Sequence, residues 1–412
     1  MAAPGGSDRG GRLLRARAEI VIVGGGIIGL TLARELAATG HPDVLVLEKE
    51  DALGRHASGR NSGVLHAGVY YAPDSLRARV CLAGNKLMRE YCRGRGLPLH
   101  EGGKVIVAQT EAEVPALEEH HRRATANGAR VEFIDDQQLA EVEPMARTVG
   151  GRALLSRDTA VVDPHAVLKA LREDLEASGR VEVVTGCRFE RLERPGVART
   201  SLGPVTFGRL VNAAGAWCDR VSAAFGVGGG YRLVPFKGIY RKLRAGASFP
   251  VNGNIYPVPD IRNPFLGIHF TRSATGDVYL GPTAIPALGR ENYGLLGGAG
   301  WEAFSILATD AALFFRNPLF RSVALTEPRK YLPACFHRDA ARLVKRYDPS
   351  MFEAAAKVGI RPQLVERATG KLVMDFIVET RDESVHLLNP ISPAFTASMA
   401  LARQVVTEHF AR

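Results

Sequence analysis

The chain has 412 residues, 46% hydrophobic and 23% charged, a balance that excludes a disordered or fibrous protein and suffices for two domains with a sizeable core. Its formal net charge is +10, from 53 Lys and Arg against 43 Asp and Glu. The basic residues are dispersed and no RRM, KH or helix-turn-helix signature accompanies them, so nucleic acid is not an expected partner. The charge reads either as an Arg-rich surface or as a field that gathers anionic small molecules.

Residues 1–17 are Arg-rich and flexible in composition, without the apolar core of a secretory signal. They are expected to form a solvated tail, with a short transit peptide as the alternative. "AEIVIVGGGIIGLTLARELAATGHPDVLVLEKE" then outlines a βαβ unit: an apolar run over Ile20 to Val23, Gly24-x-Gly26-x-x-Gly29, a helical stretch to Gly40, and a second run from Val44 to Leu47. The first glycine permits a tight turn, the second lets backbone approach a pyrophosphate, and the third packs helix on strand. The helix amino terminus supplies N–H groups to phosphates, and Glu48 stands where a carboxylate accepts ribose hydroxyls. Strand, helix, strand and acid together predict dinucleotide binding. The fingerprint occurs once, and "RLVNAAGAW" (Arg209 to Trp217) later runs a strand into small residues, Ala214 and Gly215 among them. That pairing favours a flavin over a nicotinamide cofactor, the plainer reading being an ordinary strand-to-helix turn.

Arg60, Asn61, Ser62 and Gly63 follow the second strand, and small donors with one cation suit a bridging anion. "VLHAGVYY" reads as a short extended segment, alternating Val64 and His66 against Leu65 and Ala67. His66 is open to three roles: a satisfied core histidine, a flavin-contacting donor, or a general base. "GGKVIVA" predicts a strand, Glu111 to Asn127 an amphipathic helix, and Val131 to Ile134 another strand. "DPHAVLKALREDLEASG" carries Asp163 as N-cap and Pro164 at the first helical position, followed by the strand "VEVV". Short Tyr-, Phe- and Val-rich strands between Val234 and Thr283 suggest a mixed or antiparallel sheet. "NPISPAFTASMALARQVV" predicts a terminal helix with Ser392 as N-cap and Pro393 next, either packed plainly on the core or with its positive end beneath a flavin. Five separated cysteines (Cys81, Cys92, Cys187, Cys218, Cys335) without C-x-x-C spacing argue for a reducing compartment and no metal centre. The apolar stretches are too short to cross a bilayer, so any membrane attachment is peripheral.

The segments "VGGGIIG", "GRNSGVLHAGVYY", "GGKVIVA", "NIYPVPDIRNPFLGIHFTR", "GPTAIPAL", "GIRPQL" and "NPISPAFTAS" carry a further signal. Through them the chain resembles the D-amino-acid oxidase superfamily of FAD-dependent oxidoreductases and, within it, the L-2-hydroxyglutarate oxidase/dehydrogenase group. Two runs depart from the group's usual pattern. Ser58-Gly59-Arg60-Asn61-Ser62-Gly63 stands where T-G-H-N-S-G is usual, and "NPISPAFTAS" where N-A-P-S-P-A-A-T-S is usual.

The resemblance implies an α/β fold: a Rossmann-like FAD-binding domain of glutathione-reductase type, with a discontinuous substrate domain of mixed or antiparallel sheet. The expected division is a tail (1–17), FAD-binding segments (18–98, 151–230, 336–412) and substrate segments (99–150, 231–335). It implies FAD contacts from Ile28, Lys49, Phe189 and Thr396 beside those named above. It also places the substrate-carboxylate arginine at Arg361, in the G-x-R-P setting, where Gly359 and Pro362 read as turn formers. A planar bidentate cation fixes a carboxylate better than lysine does. Tyr240 is a candidate substrate donor, and His269, Arg272 and Lys237 are candidates for a distal carboxylate.

The function so implied is oxidation of L-2-hydroxyglutarate or a close L-2-hydroxy acid to the 2-oxo acid, by hydride transfer to flavin N5. Electrons then pass to oxygen or a quinone. An amino- or imino-acid oxidase of the same fold is the alternative, and a flavin-containing nucleic-acid-modifying or scaffold protein a remoter one. The expected location is the cytoplasm, or peripherally an inner membrane, mitochondrial in a eukaryote.

Overall fold

The computed structural model describes residues 14–260, 265–295 and 297–411. Its first sheet is built on a parallel core ordered Ser384–Leu388, Gly203–Asn212, Arg17–Val23, Val44–Leu47, Val181–Val184. Both faces are covered, so the strands carry nearly continuous apolar runs. Ile20 and Ile22 face the helices Ile27–Ala38, Pro164–Ala177 and Ala394–His409, while Val21 and Val23 join Leu45 and Leu210 in a separate cluster on the other face. Asp163 caps its helix as the sequence suggests, accepting the His165 N–H at 2.9 Å, with Pro164 in the first turn.

The second sheet has nine strands. Its spine is the antiparallel pair Tyr231–Leu243 and Phe352–Glu366, in register from Tyr231 opposite Glu366 to Leu243 opposite Phe352. Val278–Gly281, His269–Arg272, Asn254–Pro257, Lys104–Val107, Arg152–Ser156 and Val131–Asp135 continue it in that order. The fold is thus α/β with mixed sheets.

Several boundaries differ from expectation. Arg152–Ser156 pairs with Lys104–Val107 and Val131–Asp135, and Phe352–Glu366 with Tyr231–Leu243, so both lie in the second sheet and not in the dinucleotide unit. Their partners are distant in sequence, which no local pattern announces. The tail shortens too: Leu14 is buried beneath the first sheet, and the first strand starts at Arg17, while residues 1–13 lie outside the described residues. The terminal helix starts at Ala394, after Pro393 with φ −97° and ψ 38°, so Ser392 precedes the cap instead of forming it. Residues 64–71 are buried throughout, so the expected two-faced alternation over this segment is absent. Arg361 sits inside a long strand opposite Phe236, not in a turn. Pro362 is accommodated there because it faces Pro235, and neither residue has an N–H to give to the ladder.

Candidate cofactor and substrate site

A cavity of about 1170 Å³ runs from the glycine fingerprint to the spine of the second sheet. Of the residues the sequence offers as cofactor or substrate contacts, all but Gly29, Gly63, Lys237 and Arg272 line it.

At the fingerprint end the backbone leaves no room for side chains. Gly24 has φ +116°, and a Cβ on Gly29 would come 1.9 Å from the Gly24 carbonyl oxygen. Gly29 therefore packs the helix onto the turn and does not face the cavity. Helix Ile27–Ala38 begins at Gly26 without a side-chain cap, and Gly26, Ile27 and Ile28 line the cavity. The first N–H, of Ile27, is instead met by Ser58 Oγ at 3.0 Å, and a helix start with its dipole directed at a cavity suits a pyrophosphate. Glu48 accepts the Gly25 N–H (3.0 Å) and the Glu50 N–H (2.9 Å). Burial raises its carboxyl pKa, and these two bonds work against that rise.

Lys49 lies beside it with its ammonium committed to Glu50, Glu291 (2.8 Å) and His56 (2.8 Å). Glu50, His56 and Glu291 could by spacing hold a metal ion, but the lysine already supplies the cation. Tyr293 adds its hydroxyl to His56 Nδ1 at 2.6 Å, so residues 291–293 of the second-sheet side close over this end of the cavity.

In the loop, Arg60, Asn61 and Ser62 face the cavity. Arg60 donates to the Arg55 carbonyl (2.6 Å) and stacks its guanidinium 4.0 Å from the Tyr293 ring centre. Asn61 donates to the Ser58 carbonyl at 2.7 Å and accepts the Gly63 N–H at 2.7 Å. The asparagine amide thus shapes the loop. Gly63 (φ +78°) faces away, and a Cβ there would meet the Val162 carbonyl oxygen at 2.2 Å. It is a packing glycine, contrary to the expected cofactor contact.

The opposite end is lined by His66, Tyr240, Tyr256, His269 and Arg361. His66 is buried, its backbone N–H donates to Thr396 Oγ1 (3.1 Å), and its Nδ1 has no hydrogen-bond partner. Burial first, and then the neighbouring basic groups Lys104, His269, Arg361 and Arg77, hold its imidazole well below the ordinary value, so it is neutral at physiological pH. Arg361 donates through Nε to Gln363 (3.3 Å), while its Nη2 is buried without a partner. Burial pulls it down to about 9, which leaves it protonated at neutral pH. Burial raises the Tyr240 phenol, which keeps it an O–H donor. Ser392 and Thr396 bring the start of the terminal helix against His66, and Phe189, Ala214 and Gly215 line the wall nearer the fingerprint.

Two candidates for a distal carboxylate point elsewhere. Lys237 donates to the Gly294 carbonyl (2.6 Å), because only alternate residues of its strand (Phe236, Gly238, Tyr240) face the cavity. Arg272 lies on the far face from His269 by three positions and reaches the Val251 carbonyl (3.4 Å). His269 does line the cavity, with its Nδ1 2.9 Å from the Gly267 carbonyl oxygen and its ring stacked on Tyr256 at 3.7 Å. Burial takes it down to about 3, so it is neutral and cannot pair with an anion as a cation.

Sequence reasoning missed Lys104, Arg77, Glu291 and Tyr293. Lys104 is the clearest case: it is 1% exposed, its Nζ has no hydrogen-bond partner, and it sits 4.5 Å from the Tyr70 ring centre and 5.2 Å from that of Tyr256. A lysine opening a fully buried strand, KVIV, was the available signal.

Residues 19–408 match the family described as FAD dependent oxidoreductase (DAO). Similar curated proteins include "L-2-hydroxyglutarate dehydrogenase, mitochondrial" of Caenorhabditis elegans, 36% identical over 95% of this chain and 92% of that protein. The Homo sapiens protein of the same name is 33% identical over 95% and 88%. "L-2-hydroxyglutarate dehydrogenase" of Salmonella houtenae is 34% identical over 95% and 92%. Among solved structures, L-alpha-glycerophosphate oxidase from Mycoplasma pneumoniae with FAD bound has a TM-score of 0.77 at 21% identity, covering 97% of this chain and 96% of that one. Glycine oxidase from Geobacillus kaustophilus has a TM-score of 0.70 at 20% identity, covering 96% and 95%. These two share the fold. With the fingerprint turn, Glu48 and the helix start all facing one long cavity, the chain belongs to the DAO family of FAD-dependent oxidoreductases.

Proposed function

We propose that this enzyme oxidises L-2-hydroxyglutarate, or a close L-2-hydroxy acid, to the 2-oxo acid. The observation that carries the reading is one cavity lined by both Arg361 and His66, each with a buried side-chain nitrogen (Nη2 and Nδ1) that has no hydrogen-bond partner. A relative's name supplies the substrate class, and this pair supplies chemistry for it. FAD bound along the fingerprint supplies the acceptor for the two electrons that leave Cα with its hydrogen.

Arg361 holds the carboxylate next to Cα, and Tyr240 donates to the same group or to the hydroxyl. His66 takes the hydroxyl proton. Its low basicity in the free enzyme follows from burial among positive groups, and a bound carboxylate offsets Arg361 and makes the imidazole more basic when substrate is present. The apolar surroundings exclude water and strengthen each of these interactions. Electrons leave to oxygen or a quinone. The compartment we propose is the cytoplasm, or the mitochondrion in a eukaryotic cell, where relatives carry that word in their names.

The test is anaerobic. The FAD-loaded protein is mixed with L-2-hydroxyglutarate, its D enantiomer, L-lactate, glycine or proline, and the oxidised flavin band is followed. Bleaching by the L-hydroxy diacid supports the reading. Bleaching by an amine alone would replace it with amino- or imino-acid oxidation.

A further inference from the structure

The carboxylate of Glu291 ties together two segments of the dinucleotide unit that are far apart in sequence. Its Oε1 accepts from the Lys49 ammonium at 2.8 Å and from the Trp217 indole N–H at 2.7 Å. Lys49 follows the strand Val44–Leu47, and Trp217 follows the strand Gly203–Asn212. The parallel strand between those two is Arg17–Val23, which runs into the fingerprint turn. Glu291 therefore straddles the carboxyl end of the central strand, where sheets of this kind bind a dinucleotide.

Glu291 belongs to a short segment, Arg290–Tyr293, that comes from the second-sheet side just after the strand Ile285–Pro286. The segment is held differently on its two sides. Arg290, with a side chain only 5% exposed, donates to Glu302 (2.7 Å), to both oxygens of Asp219 and to the Ala216 carbonyl (2.5 Å). A buried guanidinium with that many charge-assisted bonds is a fixed anchor. Asn292 is buried as well and donates back to the Gly294 (3.0 Å) and Gly297 (2.8 Å) carbonyls, so the segment keeps its own shape. Glu291 and Tyr293 line the cavity and reach across to residues 49–60. Beside the Lys49 tie, the Tyr293 hydroxyl bonds His56 Nδ1 at 2.6 Å and the Tyr293 ring carries the Arg60 guanidinium at 4.0 Å. The Lys49, His56 and Glu291 side chains are each partly exposed, and polar ties of that kind are individually weak and screened by salt.

We propose that Arg290–Tyr293 is a strap that gates FAD exchange, hinged at Arg290 and opening on the side of Lys49, His56 and Arg60. A cofactor held by the fingerprint turn and Glu48 lies beneath the bridge from Lys49 to Trp217, so it enters and leaves while the Lys49 side is open. The ties run from protein to protein, and so they close the strap whether or not the cofactor is bound. Loosening them therefore speeds passage in both directions and leaves Kd nearly unchanged. Residues that merely grip the cofactor would change release alone, and Kd with it. The proposal rests on FAD binding and does not depend on which substrate the cavity takes.

The test measures both directions. FAD release is followed as the rise in flavin fluorescence when the FAD-loaded protein is diluted, and uptake as its quenching when FAD is added to deflavinated protein. Expected for Glu291→Gln/Tyr293→Phe are release and uptake each about three- to tenfold faster, with Kd within about twofold of wild type. Salt should speed both steps in the wild type and much less in the double variant, an arm that needs no substitution to be read in the native protein. Release that quickens in the double variant while uptake stays constant overturns the proposal, because the two residues are then cofactor contacts. So does salt that speeds release but slows uptake in the wild type, which is screening of the FAD phosphates, or a double variant in which neither rate moves.

Discussion

Ser392 Oγ lies 3.4 Å from Nε2 of His66, although the two are 326 residues apart. Thr396 adds a second tie to the same residue by accepting the His66 N–H at 3.1 Å. The segment entering the terminal helix therefore holds the backbone of His66 through Thr396 and touches its ring through Ser392, and leaves Nδ1 as the nitrogen without a partner. That nitrogen is the basis of the first prediction.

A general base works deprotonated, so kcat/KM rises with pH through the free enzyme's pKa and is level above it. Burial and neighbouring positive charge keep His66 well below its ordinary 6.5. The acid limb of kcat/KM should therefore lie below that pH, with a flat profile through neutrality. His66→Ala should lower kcat by about 10²- to 10⁴-fold with FAD retained. An alanine variant with undiminished kcat would leave His66 as a packing residue.

Arg361 and Lys237 flank the same strand pair but serve opposite faces, and their variants should part accordingly. Arg361→Met removes both the charge and the planar fork, and removing one partner of a buried charge pair costs about 2–5 kcal/mol. The expected fall in kcat/KM is about 30- to 4000-fold. Lys237→Met, compared only in FAD-loaded protein, should leave KM near wild type, because its ammonium reaches the Gly294 carbonyl outside the cavity. Equal KM effects in the two variants would contradict the assigned faces.

Gly29→Ala puts a methyl carbon 1.9 Å from the Gly24 carbonyl oxygen, a backbone atom that cannot turn aside. The fingerprint turn must open, so purified Gly29→Ala should be colourless or insoluble. Gly40→Ala is the control: it meets nothing within 4 Å, and although its φ of +95° strains an alanine, it lies at the far end of the helix. That variant should lose thermal stability while keeping the flavin colour. A yellow Gly29→Ala at wild-type stoichiometry would mean the turn is more pliant than its packing implies.

These contrasts also show what was legible before the fold was known. The fingerprint, Glu48 and the Asp163 cap are local patterns, each complete within one strand, turn and helix, and they fall where their spacing puts them. Lys237 and Arg272 were misjudged because a strand residue's face depends on register with distant partners, and a shift of one residue inverts it. Arg361 was read in a turn because glycine and proline flank it, whereas pairing of Pro362 with Pro235 lets the strand run straight through. Lys104 was unreadable as a site residue because its neighbours, Tyr70, Tyr256, His66 and His269, come from separate segments.

Lys104 leads to the last prediction. Burial takes its ammonium from an ordinary 10.5 down to about 7. Below about pH 7 both the folded and unfolded chains carry this proton, and the penalty of burying the charge is at its full size. Between about 7 and 10.5 the unfolded chain binds the proton and the folded chain does not, so stability rises with pH across that window. Lys104→Met removes the titrating group. Its holoenzyme should melt higher than wild type at pH 7, with the gap closing as pH approaches 10.5. The same substitution takes away the charge that, after burial, most lowers His66, so the acid limb of kcat/KM should move to higher pH. A limb that stays put while the melting difference behaves as described would mean that Lys104 is already neutral when His66 titrates. Melting curves that run parallel at all pH values would mean that the lysine is charged and compensated in the folded protein, and its place behind Tyr256 and His269 would then need a partner for the ammonium.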